Sequence, residues 1–203
     1  MSSVIALAVL FEVVLFAGGC AGKLPDTRYY QLAPPTKVQT GGDLSLVMEP
    51  LTTDQAYDDE RIVYRSTPYR FDYYQYHRWS AAPGAMVGNY LEQSLERSGK
   101  FSNVTHELTA DAPVVLGGRV IAIEEVDTAK TKWVGRIVIE LTVSDAKSNK
   151  RLWTQQFEET EPLPSQSPEG LAQALSVAMG RITDKALPMI ESAARAGQLN
   201  AGR

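Results

Sequence analysis

The stretch that decides the fold is Trp133-Val134-Gly135-Arg136-Ile137-Val138-Ile139-Glu140-Leu141-Thr142-Val143-Ser144, with the return run Leu152-Trp153-Thr154-Gln155-Gln156-Phe157-Glu158-Glu159. Ile137, Ile139, Leu141 and Val143 recur at every second position, and Arg136, Glu140, Thr142 and Ser144 fall mostly between them. A period of two is the mark of a strand with one buried face. Trp153, Gln155 and Phe157 share one side of the return run, and Asp145 to Lys150 forms the polar turn between the runs. The two runs are therefore read as a long antiparallel hairpin in the C-terminal half of the chain.

Working outward, Ser167-Pro168-Glu169 follows the hairpin. An N-cap serine, a proline at the first helical position and an early acid together open a helix. Leu171, Ala174, Leu175, Ala178, Met179, Ile182, Ala186 and Ile190 then trace its apolar stripe. Pro188 is expected to kink or end it, because proline lacks the donor and clashes with the preceding turn. The ordered domain is expected to close at residue 193, with 194–203 a disordered tail.

Upstream of the hairpin, Val114 to Ile123 reads as a strand, and its Gly117-Gly118 marks a bulge or a close backbone approach. Pro83 to Arg97 reads as a helix, with Met86, Val87, Tyr90, Leu91, Ser94 and Leu95 on one face and Gly99 as its C′ residue. Shorter strands are expected at Arg28–Leu32, Leu44–Met48, Arg61–Arg65, Arg70–Tyr76 and Phe101–Val104. The fold class is α/β: a single layered domain, residues 28–193, in which a mixed β-sheet is covered by two main amphipathic helices.

The chain has 203 residues, 44% of them apolar and 22% charged, with a formal net charge of −4. That suits one core, and the lack of a basic excess argues against nucleic acid as a partner. The one cysteine, Cys20, excludes an internal disulfide, and two histidines leave little for a zinc site.

Cys20 ends the run Leu15-Phe16-Ala17-Gly18-Gly19-Cys20, after an almost wholly apolar segment from Ser3 to Ala17. That is the outline of a lipoprotein signal peptide over 1–19, with Cys20 as the lipidated new N-terminus and 20–27 as a short tether. The outline is imperfect: Ala17 stands where leucine is usual, no basic residue precedes Lys23, and Glu12 interrupts the apolar run. A membrane-spanning helix needs about 20 apolar residues, more than this run supplies. A buried helix carrying a core cysteine is opposed by Gly18-Gly19, which would end it. No cofactor is expected beyond covalent diacylglycerol and acyl chains on Cys20.

Eight aromatic residues crowd into one stretch: Tyr57, Tyr64, Tyr69, Phe71, Tyr73, Tyr74, Tyr76 and Trp79. Tyr73 and Tyr74 are neighbours on a strand and must face opposite ways. Two uses follow: core filling by Phe71, Tyr73 and Trp79, or contact with a partner or lipid through Tyr69, Tyr73, Tyr74, Tyr76 and Trp79. Catalysis has thin support. His77 and His106, with Asp72 or Glu107 to orient them, belong to no nucleophile or zinc motif. The acids Glu158-Glu159-Thr160-Glu161 lack calcium-loop spacing and read as a solvated strand end.

In this order the elements resemble the ABC-type transport auxiliary lipoproteins, the PqiC/YmbA-like family. The likeness is carried by the cysteine, Tyr29-Tyr30-Gln31-Leu32, Met48-Glu49-Pro50, and Arg61-Ile62-Val63-Tyr64-Arg65. It continues through His77-Arg78-Trp79-Ser80-Ala81-Ala82-Pro83, Phe101-Ser102-Asn103-Val104, the hairpin and the helix from Ser167, covering nearly all of 20–193. The resemblance implies a non-catalytic lipoprotein of the bacterial cell envelope, facing the periplasm and held to the membrane through acylated Cys20. Its implied partners are an MCE-domain protein and the ABC permease and ATPase of one intermembrane lipid transport system; homo-oligomeric rings fit the same likeness. Ala21, where some inner-membrane lipoproteins carry aspartate, favours the outer membrane. The alternative is an assembly lipoprotein of another outer-membrane machine, of the lipopolysaccharide-insertion type.

Overall fold

In a computed structural model, residues 24–33, 38–39, 41–109, 112–129 and 132–201 are described. The hairpin is present as β8 (Lys132–Asp145) and β9 (Arg151–Pro162), with Ile139 opposite Phe157 and Val143 opposite Trp153. Ile137, Ile139, Leu141 and Val143 are fully buried. The turn is tied by Asp145 Oδ1, which accepts from the Lys147 and Ser148 amides, and by Asn149 in the left-handed region (φ 55°).

The strand before the hairpin is longer than its apolar pattern. β7 (Val114–Ala129) runs past Ile123 through Glu124 and Glu125, and pairs with β8 along nearly its whole length. The hairpin is thus two strands of a three-stranded meander. Gly118 allows the close approach: a Cβ there would overlap the carbonyl oxygen of Glu140 on β8. The register shifts lie further on, between Val120 and Ala122 and between Val126 and Ala129.

The other edge of β7 is divided among three parallel partners. β2 (Leu44–Met48) pairs at Val115–Leu116, β3 (Thr52–Thr53) at Arg119–Val120 and β4 (Arg61–Thr67) at Glu124–Val126. Beyond β2 lies β6 (Phe101–Thr105). Beyond β4 lie β5 (Arg70–Trp79), antiparallel, and β1 (Arg28–Tyr30), parallel to β5. The result is one mixed nine-stranded sheet, open and branched at β7.

Two helices cover the sheet. α1 (Pro83–Glu96) starts against β3: Pro83 lies in its first turn, and the Gly84 amide donates to Thr53 Oγ1 at 2.9 Å. α2 (Pro168–Ala201) is capped by Ser167, whose Oγ accepts from the Gly170 amide at 3.0 Å. Gly135 of β8 admits α2 closely, with Leu171, Ala174 and Leu175 around the space its Cβ would fill. Tyr90 of α1 donates to the Ser176 carbonyl of α2 and joins the helices. Of the kink or end expected at Pro188, the end does not occur, and residues 194–201, expected in a disordered tail, continue the helix to Ala201. Ile182, Ala186, Ile190 and Ala194 form an unbroken buried stripe across the proline. Their burial outweighs one lost backbone hydrogen bond.

Candidate functional site

The aromatic stretch forms the β4–β5 hairpin, and its side chains divide between the two faces as strand alternation requires. On the face away from α2, Phe71 and Tyr73 meet edge to face at 5.8 Å, and the Arg61 guanidinium lies 4.2 Å from the Tyr73 ring centre. The Tyr73 hydroxyl donates to the Ala56 carbonyl at 3.1 Å. Tyr57 packs over Phe71 and closes this face.

Beneath those rings is Glu124, fully buried. Its carboxylate accepts from Tyr57 Oη at 2.6 Å, Arg65 Nε at 3.0 Å and an Arg136 guanidinium nitrogen at 2.9 Å. Arg65 also donates to Tyr57 Oη, and Arg136 reaches Glu158 at 2.7 Å. β4, β7, β8 and β9 are thereby linked by one ionic chain. Burial, and then Glu124, push the Tyr57 phenol up to about 12, so it remains a donor.

Glu125, the next residue, faces the other way. Its register partner Gly135 lies under the first turns of α2, so Glu125 opens on the helix-covered face. Tyr74 donates to its Oε1 at 2.9 Å, while among the described residues its buried Oε2 has no partner, nor does Oδ1 of Asp127. Burial raises the Glu125 carboxyl to about 7, against the Tyr74 hydrogen bond and aided by nearby Asp127. Tyr74 packs against Tyr64 and, edge on, against His77. His77 Nδ1 in turn meets Tyr30 Oη at 2.9 Å. Burial, and then Arg28, hold the His77 imidazolium below its ordinary range.

The residues read as contacts from the sequence now separate. Trp79, 1% exposed, belongs to the core, which excludes it from surface contact. Tyr73 and Tyr74 do take opposite faces, but both hydroxyls are engaged inside the domain. Tyr76 is partly exposed on β5, and Tyr69, at the tip of the β4–β5 hairpin, is 97% exposed. Cys20 and the segment 1–19 lie outside the described residues. The orienting carboxylates foreseen for the histidines are not the ones found. His106 meets Glu92 at 3.1 Å and the Met48 carbonyl at 2.9 Å, which raise its pKa, the carbonyl more strongly. Asp72 pairs with Arg70. Among the described residues no group of three or more histidine, cysteine or acidic side chains is placed to hold a metal ion.

Glu124, Glu125, Asp127, Arg65 and Arg136 escaped sequence reading as a site. The available signal was two adjacent acids interrupting an apolar strand ahead of a basic residue, Arg136, on the next one. The acids at the end of β9 are not simply solvated either. Arg181 of α2 binds Glu159 and Glu161 at 2.8 Å each, and Lys185 also pairs with Glu159.

Two shallow grooves flank α2. One, of about 530 Å³, lies between β1 and the start of the helix and is lined by Tyr29, Tyr30, Gln31 and Ala172 among others. The second, of about 540 Å³, is bounded by Leu152, Trp153, Pro188 and Met189.

A family model described as the ABC-type transport auxiliary lipoprotein component matches residues 30–186. The chain belongs to this family. It is a family of lipoproteins, anchored in the cell envelope, and its members serve as auxiliary components of transport. The match spans β1 to the middle of α2, and so takes in both glutamate clusters and the whole aromatic hairpin.

Solved structures agree on the fold of the auxiliary lipoprotein. The chain is similar to protein XCC0632 from Xanthomonas campestris, with TM-score 0.73, 16% identity, and coverage of 87% of this chain and 100% of that one. It is also similar to an uncharacterized protein, with TM-score 0.66, 14% identity, and coverage of 82% and 99%. The hypothetical protein CT253 from Chlamydia trachomatis follows with TM-score 0.52, 11% identity, and coverage of 78% and 99%. At these identities the likeness is one of fold alone. No curated protein matches the chain.

Proposed function

We propose that this protein is a non-catalytic lipoprotein, held by acyl chains on Cys20, that serves as the docking component of an MCE-type ABC system moving lipid between membranes. The observation that carries the reading is the family match over residues 30–186, a family of auxiliary transport lipoproteins. The sequence supplies the anchor in support: an apolar segment, then Gly18-Gly19-Cys20. Each buried methylene contributes about 0.8 kcal/mol and stable attachment takes about two chains, which a diacylglyceryl thioether provides. The domain faces the periplasm, and Ala21 after the anchor favours the outer membrane. Holding a domain at a membrane raises its effective concentration for a partner reaching across the envelope, so position alone gives it a role. The chemistry of transport belongs to the permease and ATPase.

The test is palmitate labelling of cells expressing the native chain or Cys20→Ala, with fractionation and affinity purification. The expected result is label and membrane association that disappear in the variant, and an MCE-domain protein recovered with the native chain. Membrane association that survives a salt wash in Cys20→Ala refutes the acyl anchor. A tight complex with an outer-membrane β-barrel in place of the MCE protein refutes the transport assignment.

A further inference from the structure

We infer that the tip of the β4–β5 hairpin, with Tyr69 at its apex, rests on the headgroup region of the bilayer that holds Cys20. The inference depends on the acylated cysteine of the proposed function and adds the orientation of the domain. β1 is parallel to β5, with Arg28 opposite His77, so the chain preceding Arg28 comes from the end of the sheet where β5 begins, at Arg70. β4 is parallel to β7 and ends at Thr67. The far end of β7, the start of β8 at Lys132 and the close of β9 at Pro162 therefore lie at that same end, since Ala129 pairs with Lys132 and Val134 with Pro162.

Length then fixes the distance. Seven residues of β5 separate His77 from Arg70, at most about 23 Å at 3.3 Å per residue and shorter where β5 shifts register against β4. Eight residues separate Cys20 from Arg28, and at full extension they reach about 26–29 Å. The covalent length of the tether lets Cys20 stand level with the hairpin tip and cannot hold the tip more than about a dozen ångströms clear of the bilayer, so tip and headgroups are within reach of each other.

The tip is built to suit such a surface. Tyr69 is 97% exposed, and its backbone is fixed by a hydrogen bond to Thr67 Oγ1. Lys132, exposed, offers a cation at the same end, as does Arg70, whose side chain is 69% exposed and shared with the exposed Asp72 at 3.5 Å. Tyrosine collects at membrane–water interfaces, and basic side chains favour anionic headgroups. The hairpin turn Ser148, by contrast, lies between β8 and β9 at the opposite end of the sheet.

The experiment uses the full acylated protein in vesicles of phosphatidylethanolamine and phosphatidylglycerol. Because Cys20 is capped by lipid, Tyr69→Cys and Ser148→Cys each give a single thiol for a nitroxide label. Power saturation with oxygen and with a water-soluble nickel complex reads the depth of the label, and flotation reads anchoring. The expected result is loss of nickel access at 69 with full access at 148. Doubling the tether with Gly-Ser residues between Lys23 and Leu24 is expected to restore access at 69 while flotation persists. Equal nickel access at 69 and 148 in floating protein overturns the inference and leaves the anchor intact. So does protection at 69 that requires an added protein partner. Failure to float overturns the anchor and the inference with it.

Discussion

Glu124 and Glu125 are neighbours on one strand, both fully buried, and the same substitution is expected to act on them with opposite sign. Replacing Glu124 by glutamine removes the negative member of a cluster that holds Arg65 and Arg136. Breaking a buried ion pair from one side destabilises by about 3–5 kcal/mol. Arg65 and Arg136 keep side-chain exposures of 21% and 31%, and Arg136 retains Glu158, so the lower figure, about 3 kcal/mol, applies at every pH where the pair is ionised. Among the described residues no cation pairs with Glu125. Its carboxyl rises from an ordinary value near 4.5 to about 7, a difference equivalent to about 3 kcal/mol. The sign follows from proton counts. Below the ordinary value both folded and unfolded chains carry the proton, and nothing is lost. Between that value and 7 the unfolded chain releases it first, so the native state binds more protons and stability falls as pH rises. Above 7 the whole penalty is present. Glu125→Gln keeps an acceptor for Tyr74 and carries no charge, so its advantage over the native protein should be under about 1 kcal/mol at pH 5 and grow to about 3 kcal/mol at pH 8. Urea unfolding of both variants from pH 5 to 8 decides the matter. A Glu125→Gln variant equally destabilised at both ends of that range, or a neutral Glu124→Gln, would show that the two faces of β7 are not as described.

Two further outcomes follow from backbone geometry. Gly118→Ala drives a Cβ into the Glu140 carbonyl, where neither strand can yield without separating β7 from β8; a loss toward the upper end of about 1–3 kcal/mol is expected in a thermal or urea melt. Ser167→Ala removes the acceptor for the Gly170 amide and should cost about 1 kcal/mol, with Ser167→Asp restoring it and hydrogen exchange at Gly170 reporting the cap directly.

The sequence makes visible those parts of the fold whose determinants are local. The alternation of Ile137 to Val143 gave the hairpin its register face, and Ser167-Pro168 marked the start of α2 to the residue, because each depends on neighbours within a few positions. What escaped depends on partners far along the chain. Glu124 and Glu125 look like the end of a strand until Tyr57, Arg65, Arg136 and Tyr74 are brought to them from other elements. Glu159 and Glu161 look solvated until α2 lays Arg181 across them. Pro188 reads as a kink or an end because proline's local cost is known, whereas the buried stripe that carries the helix past it is a property of the whole packed helix. The adjacent tyrosines show both limits: alternation assigns Tyr73 and Tyr74 to opposite faces, but only the folded chain shows that both hydroxyls are already bound.

The placement of the two glutamates bears on how an anchored domain keeps its shape. The sheet branches at β7, and within the sheet the branch made of β4, β5 and β1 pairs with it at Val63 to Arg65 opposite Glu124 to Val126. Under the proposed function the tether leads into β1, at the outer edge of that branch, so part of a pull from the membrane crosses this seam. Glu124 secures one face of the seam through Arg65 of β4 and Arg136 of β8. Glu125 secures the other through Tyr74 of β5. Apolar contacts slide, but a hydrogen-bonded charge cluster has one geometry, and removing a partner leaves a buried group unsatisfied. The docking role proposed above requires the anchored branch to be fixed to the body, and the buried acids lie on the strand where that joint is made.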